Sequence, residues 1–427
     1  MDQETPPATT PTPQDDDDVT LYNLNLATIK DSLALAERLA QASLMTSPAA
    51  KRRLQARSVE MGLGDEPPGT YVPPKHLLLY LVRMGSFNSA PKILNEDTQD
   101  DDVELPPRMT PEQILSHCRA QVPPPPLIAR RFRHLQPETD SKSPSKTIRL
   151  LQWNLLSQAL GQNNDNFVCC PDTALEWERR RHLLAEEIIR YNPDIICLQE
   201  VDHFKFLQKV LGTQGFSGTF FPKPDSPCMY IKGNNGPDGC AIFYNTERYE
   251  LVKLETRILE VWRVQSNQVA ILVILRDKQT EDEICVATTH LKARNGALLS
   301  ALRNEQGKDL LEFVAQHAGN RPVILSGDFN AEPTEPIYST VLSHDLLRLS
   351  SAYYQENEPP YTTWKIREEG EVCHTIDYVF CSKDRLKPVT LLEFPTGEEI
   401  GKDRIPSMSY PSDHFSLVCD LLLKDAS

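Results

Sequence analysis

Six polar groups recur where apolar runs of this sequence end or pass: Asn154, Gln199-Glu200, His290, Gly327-Asp328-Phe329-Asn330, Asp377 and Ser412-Asp413-His414. An acid after one apolar strand is ordinarily a solvated loop residue. A whole series is harder to read as independent decoration, because ligand and catalytic groups of α/β architectures gather at strand ends. Asp-Phe-Asn after Val-Ile-Leu is the strongest case. Gly327 permits a tight approach there, and the spacing puts Asp328 and Asn330 on one face of an extended chain. The chemistry these types suggest is metal-assisted hydrolysis of a phosphate ester. Asn and Glu supply hard oxygen ligands for Mg²⁺, which keeps its waters and needs only one or two carboxylates beside the substrate phosphate. Two histidines could neutralise phosphate oxygens while a carboxylate activates water for in-line attack.

A basic set accompanies them. Lys292 and Arg294 follow His290, and Lys223 and Arg367 lie in other loops. A compact group of cations suits a small dianionic phosphate monoester, since Arg and Lys supply charge-assisted donors. A polynucleotide would favour an extended basic track with aromatics for stacking. Beyond residue 146 the chain has 40 acidic against 29 basic residues, which provides little of such a track. The competing reading is that these cations are ordinary surface charges.

The elements that must position these groups begin near Ile148, where strands and helices alternate. Strands are predicted at Ile148–Trp153, Asp194–Leu198, Cys240–Tyr244, Val269–Leu275, Ile284–Thr289, Val323–Leu325, Thr375–Cys381 and Phe415–Leu423. Thr173 and Glu176 have capping-box spacing for one helix running to Tyr191, before Pro193. Another helix is predicted over Leu298–Gln316. The catalytic phosphoesterase domain is thus expected over residues 148–425. Upstream the text differs: 19 of the 34 prolines fall within residues 1–146, with an aspartate run at Asp15–Asp18. Such a stretch cannot bury enough apolar surface to offset its chain entropy, so residues 1–109 are expected to be a largely disordered extension. The exception is Leu26, Ile29, Leu33, Ala36 and Ala40, whose spacing predicts an amphipathic helix near residues 23–46, packing locally or docking a partner protein. A second short helix is predicted at Thr110–Arg119, and residues 110–147 are expected to pack on the catalytic domain.

Composition sets further bounds. The 427 residues carry a net charge of −15, against a histone-like nucleic-acid binder and for weak or absent RNA binding. No apolar run approaches the length a bilayer requires. Ten cysteines without a CxxC pair read as reduced thiols of an intracellular, cytoplasmic protein. Acidic residues near the start argue against a mitochondrial presequence, and a form with a different N-terminus would change that expectation.

Gln152-Trp153-Asn154, Leu198-Gln199-Glu200, Thr289-His290-Leu291, Gly327–Asn330, Ile376-Asp377-Tyr378 and Ser412-Asp413-His414 together resemble the exonuclease–endonuclease–phosphatase superfamily. The resemblance covers residues from about 148 to 425, with the signature elements in order. It implies a two-sheet β-sandwich flanked by helices, with the site at one end. It also implies that Glu200 is the principal Mg²⁺ ligand (Mn²⁺ the substitute), assisted by Asn154. Asp328 would orient or deprotonate the attacking water and Asn330 would help hold the phosphate. His414, oriented by Asp377, would stabilise the transition state, and Asp413 and His290 would complete the surround. The phrases Phe220–Pro224, Asn234–Cys240, His290–Arg294, Gly327–Glu335 and Pro360–Arg367 resemble one branch of the superfamily. That branch removes the 2′-phosphate of NADP⁺ and NADPH and has a role in metabolic or circadian regulation. On this likeness Lys292, Arg294, Lys223, Arg367 and Asp238 are substrate-binding. The branch is similar to deadenylases of the carbon-catabolite-repressor type, so a poly(A)-specific 3′-exoribonuclease is the alternative. An interaction protein recruited through its N-terminal region is a third reading.

Overall fold

The computed structural model describes residues 104–135, 146–163, 165–232 and 234–424. The helix expected near residues 23–46 lies outside the described residues.

The strands in chain order are β1 (Phe132–His134), β2 (Thr147–Asn154), β3 (Ile195–Val201), β4 (Phe216–Pro222), β5 (Gly239–Asn245), β6 (Tyr249–Val261), β7 (Val264–Asp277), β8 (Glu283–His290), β9 (Val323–Asp328), β10 (Leu349–Ser351), β11 (Thr363–Arg367), β12 (Gly370–His374), β13 (Asp377–Ser382), β14 (Leu386–Leu392) and β15 (Leu417–Leu423). One sheet has the order β1-β14-β15-β2-β3-β5-β4 and a second β10-β13-β9-β8-β7-β6, with β11-β12 as a separate hairpin. Alternation along the strands explains the layering. Val269, Ile271, Val273 and Leu275 of β7 meet Leu150, Ile195, Ile242 and Cys419 of the first sheet. The intervening Ala270, Leu272 and Ile274 face Leu310, Leu311 and Val314 of the helix Ala297–Ala318. The outer face of the first sheet (Leu151, Trp153, Ile196, Leu198) is covered by Leu184 and Ile188 of Trp177–Ile189 and by Leu207 and Val210 of Phe204–Gly212. Strands buried on both faces read as unbroken apolar runs, so the sequence marks them without saying which residue faces which layer.

The single helix predicted from Thr173 is two. Asp172–Leu175 and Trp177–Ile189 are separated at Glu176, which is extended (φ −64°, ψ 131°) and makes no side-chain cap bond. Thr110 does cap the helix Pro111–Gln121, with Gln113 returning the bond to its N–H. That helix buries Ile114 and Cys118, and β1 forms the edge of the first sheet beside β14.

Candidate active site

Strand pairing assembles the site from two rows. Parallel pairing of β8 with β9 sets His290 beside Asp328, and antiparallel pairing of β9 with β13 sets Asp377 on its other side. Gly327 makes that approach possible. A Cβ there would stand 2.2 Å from the Thr289 carbonyl oxygen, and its φ of +155° suits glycine. In the first sheet, parallel pairing of β2 with β3 puts Asn154 opposite Gln199. On the other side of β3 the pairing with β5 slips between Leu198 and Val201, and Glu200 takes φ +53°. An irregularity of this kind re-aims a side chain, here the glutamate. The Ser412–His414 segment is tied to the end of β2: Ser412 Oγ donates to Asn154 O (2.7 Å), and Trp153 Nε1 donates to His414 O (2.6 Å).

Asn154 joins the rows. Its Nδ2 donates to Glu200 Oε1 (3.1 Å) and Asp328 Oδ2 (2.9 Å), while its Oδ1 accepts from Leu156 N–H (3.0 Å). Asn154 therefore presents N–H groups, not its carbonyl oxygen, to both carboxylates. Glu200 Oε2 accepts from Ser157 N–H (3.0 Å). Asp328 Oδ1 accepts from Asn330 N–H (2.9 Å). Asn330 does not simply share a strand face with Asp328, because β9 ends at Asp328 and a φ of +49° turns the chain; its Nδ2 donates to Leu291 O (3.1 Å). Leu156, Glu200 and Asn330 all hold positive φ around the site. Backbone strain concentrates where surrounding structure over-determines it, as functional sites do.

Asp377 Oδ2 lies 2.8 Å from His414 Nδ1 and also accepts from Thr362 Oγ1 (2.7 Å). His414 Nε2 faces Asp328 Oδ2 at 3.8 Å and Asp413 Oδ2 at 3.9 Å. Burial opposes the charged imidazole, but Asp377, Asp413 and Asp328 outweigh it and raise its pKa to about 9. At neutral pH the ring is then an imidazolium offering Nε2–H to the site. Burial, with Asp377 adding to it, pushes the Asp328 carboxyl up to about 7. That is the range in which a general base works best. His290 behaves oppositely. Burial first, then Lys223 and His414, push its pKa well below the usual value, so it is neutral. Its Nδ1 is 3.4 Å from Lys223 Nζ and its Nε2 is 3.6 Å from Asp328 Oδ2. With Lys223 as donor, the ring proton sits on Nε2 and points at Asp328.

The basic residues divide. Lys223 is buried, bonded to Asp238 Oδ2 (2.6 Å), and reaches the site through His290. Asp238 is sealed beneath it and also accepts from Ser226 Oγ, so it acts as the counter-ion of Lys223. Lys292 is half-buried and Arg294 exposed. Burial, then the charges of Arg294 and Lys223, bring the Lys292 ammonium down to about 8. Arg367 lies apart: it pairs with Asp165 Oδ1 (3.4 Å) and Asp413 Oδ2 (3.8 Å) and stacks over Phe167.

Several residues at the site carry roles that the sequence reading does not assign. Lys365 Nζ lies 2.5 Å from Asp413 Oδ2, and its charge helps hold that buried carboxyl below the usual range against desolvation. The sequence does carry a signal for it: Thr363, Lys365 and Arg367 alternate along β11, and each contacts Asp413. Gln152 and Gln199 exchange amide bonds beneath the site, and Gln199 reaches Thr288 Oγ1 in the second sheet. Arg180, wholly buried, donates to the carbonyls of Leu155, Leu156 and Pro411 and fixes the loops bearing Ser157 and Asp413. Sequence patterning cannot see such inter-sheet bonds.

Two sheets with helices outside and a carboxylate–histidine–asparagine cluster at their shared end define a phosphoesterase architecture. The comparisons agree. Residues 151–414 match the model of the Endonuclease/Exonuclease/phosphatase family. Nocturnin of Drosophila melanogaster is 52% identical over 463 aligned residues, covering 91% of this chain and 72% of that protein. The solved catalytic domain of human nocturnin, with a bound sulfate anion, is 40% identical with a TM-score of 0.57, covering 69% of this chain and 98% of that one. Carbon catabolite repressor protein 4 homolog 1 of Arabidopsis thaliana is 28% identical, covering 64% of this chain and 57% of that protein. The chain belongs to the endonuclease/exonuclease/phosphatase family, in its nocturnin branch. It is accordingly a metal-dependent hydrolase of the phosphatase–nuclease type.

The donor set fits a hard divalent cation. Glu200 and Asp328 stand on either side of Asn154, each bonded to its Nδ2, and Asp377, paired across from Asp328, has a buried Oδ1 with no hydrogen-bond partner among the described residues. Concentrated carboxylate oxygen is what Mg²⁺-type ions bind. Among the described residues no helix is long and apolar enough to cross a membrane.

Proposed function

We propose that this chain hydrolyses the terminal 2′-phosphate of NADP⁺ and NADPH, giving inorganic phosphate and NAD⁺ or NADH, with Mg²⁺ as its ion and Mn²⁺ as substitute. The observation that carries this reading is the cluster of Lys223, Lys292 and Arg294 beside the carboxylate row. Burial first, then the charges of Arg294 and Lys223, bring the Lys292 ammonium down to about 8, and a small dianion suits such a group of cations beside the carboxylates.

In this mechanism Glu200 would hold the cation, and Asn154 fixes Glu200 relative to Asp328 through its paired N–H bonds. A cation held there would supply Lewis-acid polarisation of a phosphoryl oxygen and offset its charge. Asp328 takes the proton of the attacking water as the water oxygen bonds to phosphorus and the bond from phosphorus to the ribose 2′-oxygen breaks; that oxygen leaves as the hydroxyl, taking its proton from solvent. The His414 imidazolium, braced by Asp377, gives Nε2–H to a phosphoryl oxygen as charge accumulates. Neutral His290 offers its Nε2–H from the facing side, Asn330 braces the phosphate, and Lys365 keeps Asp413 charged beside His414. Arg367 lines the rim where the nucleotide would enter. We place the reaction in the cytoplasm, in regulation of NADP(H) supply, with any protein partner engaging the N-terminal region.

The second reading, a 3′-exoribonuclease acting on poly(A), is favoured by the similarity to the Arabidopsis carbon catabolite repressor homologue. The two are separated with purified protein and Mg²⁺: NADP(H) should release inorganic phosphate while labelled poly(A) stays intact at equal enzyme. Replacing Lys292 and Arg294 together by Ala should cost about 1.5–3 kcal/mol for each charged hydrogen bond lost to the monoester. A generic phosphodiester should suffer less. Brisk shortening of poly(A) with no attack on NADP(H) would give the site to the exoribonuclease.

A further inference from the structure

The cations assigned to the phosphate sit on a loop that is fastened from a neighbouring helix. After β8 the chain runs through Lys292 to Arg294, which takes φ +82°, a conformation L side chains rarely adopt. What fixes this loop is Arg303, on the helix Ala297–Ala318. The Arg303 side chain is only 1% exposed, and its Nη1 donates to both the Lys292 carbonyl (3.0 Å) and the Arg294 carbonyl (2.7 Å). The rest of the fork, Nε and Nη2, donates to Glu335 Oε2 at 3.1 and 2.7 Å. Three residues along, Gln306 Oε1 accepts the Lys292 N–H (3.1 Å), and Gln306 Nε2 donates to Gln268 (2.9 Å). Glu335 ends the loop that leaves β9 after Asp328 and Asn330. One planar guanidinium therefore fastens the loop bearing the phosphate-facing cations to the loop that follows the base. Lys could not reproduce this, because its ammonium lacks the fork that meets two carbonyls and a carboxylate at once.

We infer that Arg303 is a specificity-determining positioning residue: it sets where Lys292 and Arg294 stand relative to Asp328, and so selects a terminal phosphate monoester over a diester. This rests on the phosphatase reading above. Arg303 touches neither substrate nor reacting atoms. Its effect should appear in monoester binding, which needs the placed cations, and not in the hydrolysis common to all phosphate esters.

The test uses the full chain carrying Arg303→Met, which keeps an unbranched apolar stem, and Arg303→Lys, which keeps the charge. Binding of adenosine 2′,5′-bisphosphate is measured by calorimetry, with KM and kcat for NADP⁺ and for bis(4-nitrophenyl) phosphate beside it. Arg303→Met should weaken bisphosphate binding and raise the NADP⁺ KM about 10-fold or more, the scale of misplaced binding groups. Diester kcat/KM should stay within about 2–3-fold, and Arg303→Lys should fall between wild type and Met. Added to Lys292→Ala/Arg294→Ala, Arg303→Met should change bisphosphate binding no further, since residues acting through one another are not additive. Equal losses on monoester and diester, full additivity in the triple variant, or wild-type affinity in a folded Arg303 variant overturns the inference. Should Arg303→Met fail to fold, Arg303→Lys decides by the same monoester-to-diester ratio. Wild-type protein that binds the bisphosphate but leaves NADP(H) untouched defeats the phosphatase reading and not this one.

Discussion

The spacing of β8 and β9 at Gly327 is the most exposed point of the catalytic argument, and Gly327→Ala tests it. A Cβ there would lie 2.2 Å from Thr289 O and 3.1 Å from Thr289 C and N, all of it backbone that cannot swing aside. Ordinary contact needs about 1 Å more. The strands must part by about that much at the Thr289–Gly327 rung, and the next rung is His290 with Asp328. Two magnitudes follow. Overpacking of this kind costs about 1–3 kcal/mol of stability, or about 2–4 °C in Tm per kcal/mol for a domain of this size. A displacement of about 1 Å among reacting groups costs on the order of 100-fold in turnover, because Asp328 moves away from Asn154 and from the His290 and His414 nitrogens it now faces. The control is Gly401→Ala. Gly401 also has positive φ (+88°), yet nothing lies within 4 Å of where its methyl would stand, so strain there should lower Tm slightly and leave kcat alone. Calorimetric Tm and phosphate release measured on both proteins check the argument. A Gly327→Ala protein that is stable and turns over normally would mean that the strand spacing does not set the site.

Other outcomes are expected from the same geometry. Excess chelator should abolish turnover, and Glu200→Ala should leave a folded protein with activity reduced at least ~100-fold, as when a Lewis acid is lost; undiminished phosphate release in chelator would remove the metal from the mechanism. Asp328→Asn keeps the hydrogen-bonding shape but not the base, so kcat should fall by about 10²–10⁴ with KM changing far less, read in steady-state kinetics. Lys292 carries its charge below about 8 and loses it above, so NADP(H) KM should rise as pH climbs through that value. Lys292→Arg should flatten the rise, because a guanidinium stays charged to beyond about pH 12. Removing residues 1–104 should leave kcat/KM within a few-fold. Removing 1–146 should lower Tm, because it strips Ile114, Cys118, Leu127 and Ile128 from the core and takes Arg130 from Glu187 and Ser416; each such apolar side chain contributes about 1.5–3 kcal/mol.

What can be read in advance, and what cannot, follows from the range of the interactions. Strands such as β2, β3, β8 and β9 are legible because burial on both faces demands apolar runs, and a polar residue ending such a run stands out; hence Asn154, Glu200, His290 and Asp328. β6 escapes such a reading because its burial is patchy, with Val252 and Leu254 exposed, so no periodic signal survives. The failed capping box is instructive in the same way. Thr173 and Glu176 have the right spacing, but Glu176 is extended and its carbonyl accepts from the Arg179 and Arg180 amides, starting a new helix. That restart puts Arg180 where its guanidinium can reach Leu155, Leu156 and Pro411. Local chemistry favours one helix, and the tertiary demand for a buried arginine behind the site goes with two. The cations make the complementary point. Spacing sets Lys292 and Arg294 beside His290 and leaves Lys223 and Arg367 in other loops, whereas the fold gives each its own neighbours. Lys223 is paired with Asp238 and Arg367 with Asp165 and Asp413, whereas burial first, then the charges of Arg294 and Lys223, lower the proton affinity of Lys292. A charge is worth what the field of its neighbours makes of it. On that criterion the Lys292–Arg294 loop, and the buried arginine that holds its carbonyls, is where discrimination between phosphate esters should be sought.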